Sequence, residues 1–174
     1  MGMGFGQQAM NENPWSVLKF TIVLPPRGQS RPHGTVLTDK DGNPVRSRKN
    51  GRFVILHHKG QKQKSDEKKL HALLLQHAPP RPLQGPIRLG VRAFFPIPRS
   101  KPKKWVQAAE AGESFPTKKP DMSNIVKNLE DVGNGIFWED DAQIIGFTSD
   151  TGKYWGDPGR YEITILFRRD LQHE

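Results

Sequence analysis

Apolar and polar positions recur with two different periods along the chain, and the change of period marks its elements. Val17-Leu-Lys-Phe-Thr-Ile-Val-Leu24 is β-branched and aromatic with partial alternation, and Pro25-Pro26 stops it, which predicts a strand. Two short extended pieces, Thr35-Val-Leu-Thr38 and Phe53-Val-Ile-Leu56, flank the turn residues Asp39-Lys-Asp-Gly-Asn-Pro44 and predict a hairpin or flap whose pairing the pattern leaves open. Ser65 to His77 has a capping-type serine, early acids, apolar residues at Leu70, Leu73 and Leu74, and a stop at Pro79-Pro80, so a helix is expected there. From Pro86 to Pro96, Ile87, Leu89, Val91 and Ala93 alternate with Arg88, Gly90 and Arg92, the period of a half-buried strand with a basic outer face. Residues 97–120 read as a loop or a short helix near Trp105. Ile125, Val126, Leu129 and Val132 give Asp121 to Asp131 helical spacing, ended by Gly133-Asn-Gly135. Two further strands, Ala142–Ser149 and Tyr161–Phe167, are expected on either side of a Gly/Trp/Pro turn. Residues 1–14 are polar and Gly-rich and are expected to be a flexible tail, leaving residues 15–170 as one α+β domain: a small mixed sheet with two main helices.

Charge adds a partner class to this outline. The 174 residues carry 27 Lys+Arg against 18 Asp+Glu, a net +9, which makes nucleic acid the first partner to consider. The excess is concentrated: residues 27–64 hold ten Lys/Arg against Asp39 and Asp41. A local excess that large predicts phosphate contacts with steep salt dependence. Cysteine is absent, so disulfides, thiolate metal sites and a Cys nucleophile are excluded, and a reducing, cytoplasmic setting fits. No window has the run of apolar residues that a membrane span needs, and no signal-peptide pattern opens the chain. Gly152-Lys-Tyr-Trp-Gly156 lacks the arrangement of a phosphate-binding loop, so no nucleotide cofactor is expected. His57-His58 lies in a basic segment without flanking acids and reads as DNA contact or plain surface. Trp105 and Trp155, in turn-rich surroundings, are candidates for stacking on unpaired bases.

The segment with chemical content is 118–143. Asp121 follows Pro120 and should sit at a helix N-terminus, where capping is the plain role for an aspartate. Lys127 shares a helix face with polar neighbours three and four residues away, among them Ser123, Asn124, Glu130 and Asp131. Glu139-Asp140-Asp141 then places three acids between Ile136-Phe137-Trp138 and Ile144-Ile145 in a basic protein. Two carboxylate groups with a lysine between them, framed by cationic loops, match what divalent-metal phosphodiester cleavage requires. Spacing alone leaves that reading open beside one of caps and solvated surface.

The run Lys119-Pro-Asp-Met-Ser-Asn-Ile-Val-Lys-Asn-Leu-Glu-Asp-Val-Gly-Asn-Gly-Ile-Phe-Trp-Glu-Asp-Asp-Ala-Gln143 resembles the signature of RusA-type Holliday junction resolvases, small dimeric endonucleases often carried by prophages. The family pattern is roughly K/R-x-D-x-D-N-x-x-K, a D-A-L-x-G helix end, and an aromatic followed by D-D-A/S-Q. The resemblance implies a two-fold homodimer that cuts four-way junctions with Mg²⁺, or Mn²⁺, inside a bacterial or phage-infected cell. It makes Asp121 and Asp141 metal-binding and catalytic carboxylates, with Asp140 as the neighbouring ligand, and Lys127 the catalytic lysine. It departs at Ser123, where the family has its second aspartate, which removes one carboxylate of three. Arg27, Arg31, Arg46, Arg48, Lys49, Arg52, Lys101, Lys103, Lys104, Lys118 and Lys119 are the expected DNA-binding cations. Two other readings stay beside the resolvase: a branched-DNA-binding protein that lost cleavage at Ser123, and a nuclease acting mainly on flaps or forks.

Overall fold

The computed structural model describes residues 15–29, 33–58 and 61–168; the expected tail and Arg31 lie outside them. One mixed sheet organises the chain. β1 (Ser16–Ile22) runs antiparallel to β7 (Arg160–Phe167), and β7 antiparallel to β4 (Ile87–Phe95). The far edge of β4 is shared end to end by two short parallel strands, β5 (Ile144–Phe147) beside residues 87–89 and β6 (Gly152–Trp155) beside residues 92–95.

The alternation in β4 is what makes the sheet one-sided. Ile87, Leu89, Val91 and Ala93 are buried together with Ile22 of β1 and Tyr161, Ile163 and Ile165 of β7. Against this face pack Leu70 and Leu74 of α1 (Gln61–Leu75) and Ile125, Val126 and Leu129 of α3 (Met122–Gly133). The opposite face carries Lys19, Thr21, Arg92, Glu162 and Thr164 around a shallow groove. The domain is therefore a single two-layer α+β unit, in line with the expected class.

Several boundaries differ from the sequence expectation. Helix α1 begins at Gln61, so Ser65 lies inside it and is no cap; Gln61-Lys-Gln-Lys64 are all good helix formers and nothing there breaks the helix. The short helix near Trp105 exists as α2 (Lys103–Glu110), making three helices rather than two main ones. The Gly/Trp/Pro stretch contains β6, a strand that forms because the C-terminal half of β4 offers it a free edge. Ala142 and Gln143 belong to a 3₁₀ turn, Asp141–Gln143, and only Ile144–Phe147 of the expected 142–149 strand pairs. The flap is a folded-back ribbon: β2 (His33–Val36) pairs with β3 (Ile55–His58), and between them bridges join Thr38 to Pro44 and Arg46 to Phe53. Leu37, Val45 and Val54 hydrogen-bond one another by their backbones and tie these layers together.

Candidate active site

Helix α3 carries the centre of the site because its apolar stripe is buried and its other face is charged. Gly133 closes the helix against Trp138, whose Cη2 would be 2.9 Å from a Cβ there. That close approach fixes where the chain re-emerges at Glu139-Asp140-Asp141. Asp140 caps the 3₁₀ turn, accepting from Ala142 N at 2.8 Å, while Gln143 Oε1 accepts from the backbone N–H of Glu139 and Asp140. Gln143 Nε2 in turn donates to the carbonyls of Leu83 and Gly85, so the acidic turn is bolted to the loop before β4.

This anchoring presents Asp141 to α3. Lys127 Nζ lies 2.7 Å from Asp141 Oδ2 and 2.9 Å from Asp131 Oδ1, bridging two carboxylates that are ten residues apart in sequence. The hydrogen bonds to Asp141 and Asp131 push the Lys127 ammonium above its ordinary value, and the Lys127 hydrogen bond holds Asp141 below the usual carboxylate range. Glu130, half-buried beside this group, is raised, chiefly by burial, with the Lys127 charge acting the other way. Lysine and aspartate are thus both fully charged near neutral pH, ready to meet a phosphate.

Asp121 occupies the N-cap position of α3 with extended backbone angles, φ −70° and ψ 147°, yet its side chain makes no capping hydrogen bond. The plain capping role is realised in position only. The carboxylate is exposed at the positive end of the helix, and the backbone carbonyl accepts from Ile125 N at 3.1 Å. Ser123 is exposed one turn before Lys127.

Of the expected site residues, Lys127 and Asp141 are brought into contact, with Asp121 at the start of the same helix as Lys127. The Asp140 carboxylate caps its own turn, and Glu139 accepts from Gln84 at 2.6 Å. Among the described residues no group of three His, Cys, Asp or Glu could hold a metal ion. Two aspartates with hard oxygens still suit Mg²⁺, which takes one or two carboxylates and fills its shell with water and substrate phosphate. Arg48, Lys49 and Arg52 are exposed around the outer flap turn, and Lys118 and Lys119 directly precede α3. Arg46 is spent within the flap, over the Phe53 ring and on the Gly51 carbonyl. Lys101 lies over Trp105, Lys103 and Lys104 open α2, and Arg27 pairs with Asp66 of α1.

Two contacts were not legible in the pattern. Gln29, following the strand-ending prolines, donates from Nε2 to Asp131 Oδ2 at 2.6 Å and from its backbone N–H to Asn124 O at 3.0 Å. Its neighbour Gly28 makes this possible, since a Cβ there would lie 2.7 Å from Pro120 and 3.1 Å from Asn124. Lys153 of β6 donates to the carbonyls of Lys118 and Pro120. Neither residue sits in a run with any period, and Lys153 belongs to the segment that reads as a turn.

The chain is similar to the uncharacterized protein YqaN of Bacillus subtilis (strain 168), at 30% identity over 152 residues, 85% of this chain and 94% of that protein. Residues 40–166, which include α3, the acidic turn and most of the sheet, match the family model Endodeoxyribonuclease RusA, and the chain belongs to the RusA endodeoxyribonuclease family.

Proposed function

We propose that the protein is a Mg²⁺-dependent, structure-specific endodeoxyribonuclease that resolves four-way DNA junctions in the cytoplasm as a two-fold homodimer. The observation that carries the reading is the contact of Lys127 with Asp141, made across the fold on the helix whose N-cap position Asp121 holds, in a chain of a nuclease family. Membership of that family supports branched DNA as the substrate. Asp121 and Asp141 would hold the divalent cation, which supplies phosphate polarisation and an activated water. Lys127 keeps the Asp141 carboxylate ionised and oriented, and its ammonium would offset the negative charge that grows as water adds to phosphorus and a P–O bond to the sugar breaks. Asp131 holds that ammonium from the other side. The exposed cations of the flap and of residues 118–119 bind the arms by charge. A two-fold dimer gives the two equivalent centres that symmetric cutting needs.

Ser123 favours one second reading, a junction-binding protein without cleavage, because a hydroxyl supplies no charge where a third carboxylate would add metal affinity. A labelled four-way junction, a flap, a fork and a matching linear duplex, incubated with Mg²⁺, Mn²⁺ or EDTA and run on a denaturing gel, separate them. Paired metal-dependent nicks in the junction with the duplex left whole are expected; binding without cuts in either metal would establish the second reading. Nicks confined to flap or fork substrates would change the substrate and keep the chemistry. Ser123→Asp is expected to raise metal affinity, read by Mn²⁺ titration.

A further inference from the structure

Among the described residues, no backbone hydrogen bond holds residues 114–120, the stretch that delivers the chain to Asp121. Phe115 packs edge-on against Tyr154 near the start of this stretch, and a side chain grips its end. Lys153 stands beside Ala93 in the β4–β6 register, and Ala93 belongs to the buried face on which the helices lie. From there its ammonium donates to Lys118 O at 2.9 Å and to Pro120 O at 3.3 Å. Pro120 also lies close against Gly28, where a Cβ would stand 2.7 Å from its side chain. Two carbonyls that no backbone N–H meets are thus satisfied by one ammonium, which has donors for both and, unlike a hydroxyl with its single O–H, needs no other partner to do so. Both bonds are charge-assisted, and the second falls on the peptide group shared by Pro120 and Asp121.

We infer that Lys153 is a positioning residue for Asp121: by bridging the carbonyls of Lys118 and Pro120 it fixes the peptide that carries this carboxylate and so sets where the carboxylate stands relative to Lys127 and Asp141. The inference rests on the nuclease reading above, because it gives Lys153 a task only if Asp121 is a ligand. Its logic is mechanical. A helix N-terminus preceded by an unpaired loop is free to fray, and a displacement of about 1 Å at a reacting centre can cost roughly 100-fold in rate. Lys153 acts from β6, which is hydrogen-bonded to the buried strand β4, and ties the residue at the N-cap of α3 to the sheet.

The test uses the full chain as Lys153→Met, Lys153→Arg and Asp121→Asn, with three readouts: Mn²⁺ binding without DNA by electron paramagnetic resonance, junction binding in EDTA, and steady-state junction cleavage in Mg²⁺. Lys153→Met is expected to weaken Mn²⁺ binding in the same direction as Asp121→Asn and to lower kcat by roughly 10- to 100-fold. KM and junction affinity in EDTA should be unchanged. Lys153→Arg, whose fork reaches two acceptors, should recover most of both losses. Thermal midpoints check folding, and Lys153→Thr, strand-compatible but too short to reach either carbonyl, replaces the Met variant if the latter does not fold. Parental Mn²⁺ affinity and kcat in Lys153→Met would overturn the inference. So would loss of junction binding in EDTA with Mn²⁺ affinity intact, which marks a phosphate contact, or failure of Arg to rescue. If the parent binds the junction but cuts nothing in Mg²⁺ or Mn²⁺, the nuclease reading itself falls; if Asp121→Asn binds Mn²⁺ and cleaves as the parent does, Asp121 is no ligand and this inference falls with it; if only Lys153→Met does, this inference falls alone.

Discussion

The flap at residues 33–58 and the helix α3 with its acidic turn are both rich in charge, yet they are held in opposite ways. The flap has no buried residue among those whose side chains are described; Phe53, Ile55 and Leu56 are 47%, 51% and 43% exposed, and turns and ribbon hydrogen bonds give it shape. In the acid-bearing region each charged group hangs on a packed support: Lys127 and Asp131 on a helix whose Ile125 and Leu129 are buried, Asp141 on a turn set by Trp138 and Gln143. Cations that follow the sugar–phosphate backbone gain from a surface that yields to the shape of the duplex. Carboxylates that must meet one phosphate gain from a frame that does not move. The difference is the one expected between affinity and chemistry.

The largest way to sharpen that contrast is Asp141→Asn, which should lower junction cleavage by roughly 100-fold or more while junction binding in EDTA is retained. Equal cleavage by this variant would remove Asp141 from the site. The next is a pair of truncations read by chemical denaturation. Leu129→Ala, at 3% exposure behind Lys127, should cost about 2–5 kcal/mol, whereas Phe53→Ala in the flap should cost under about 1 kcal/mol. Comparable costs would mean that the flap is packed as firmly as the core.

Replacing Arg48 and Arg52 together by Ala should flatten the dependence of log affinity on log salt by about two units, with kcat on saturating junction unchanged. An unchanged slope would move the phosphate contacts away from the outer turn. The smallest effect concerns Tyr161, whose hydroxyl accepts from Arg27 N at 2.8 Å and so ties the chain entering the flap to β7. Burial pushes this phenol up to about 12. An unfolded tyrosine ionises near pH 10, so the folded state binds the extra proton between pH 10 and 12. Stability from this group is therefore complete below pH 10 and declines as pH rises toward 12, by at most about 1.4 kcal/mol per unit. Tyr161→Phe should lack that part of the decline when unfolding is followed from pH 9 to 12.

Much of the architecture was legible in linear pattern. The alternation Ile87, Leu89, Val91, Ala93 marked β4, the spacing Ile125, Val126, Leu129 marked α3, and Gly133-Asn134 marked its end. Each is a local signal, in which burial repeats with the period of the element itself. β6 was not legible, because Gly152-Lys-Tyr-Trp155 becomes a strand only where β4 lends it a partner. The start of α1 at Gln61 was obscured in a different way, by a capping-type serine that lies inside the helix.

The site divides along the same line. The sequence by itself determined which residues carry charge, that Asp121 heads a helix and that Lys127 shares a face with Asp131, since helical spacing dictates both. It also determined, through the order of acids, lysine and aromatic, the family to which the chain belongs. Only the tertiary structure decided that Lys127 meets Asp141, that Asp140 turns its carboxylate to its own backbone, that Gln29 reaches α3 from the segment after β1, and that Lys153 of β6 reaches the stretch before α3. The contacts of Lys127, Gln29 and Lys153 join residues between 14 and 102 positions apart, and no local period encodes them. They depend on the packing of a whole sheet, whose geometry is set by side chains far from any of the groups it brings together.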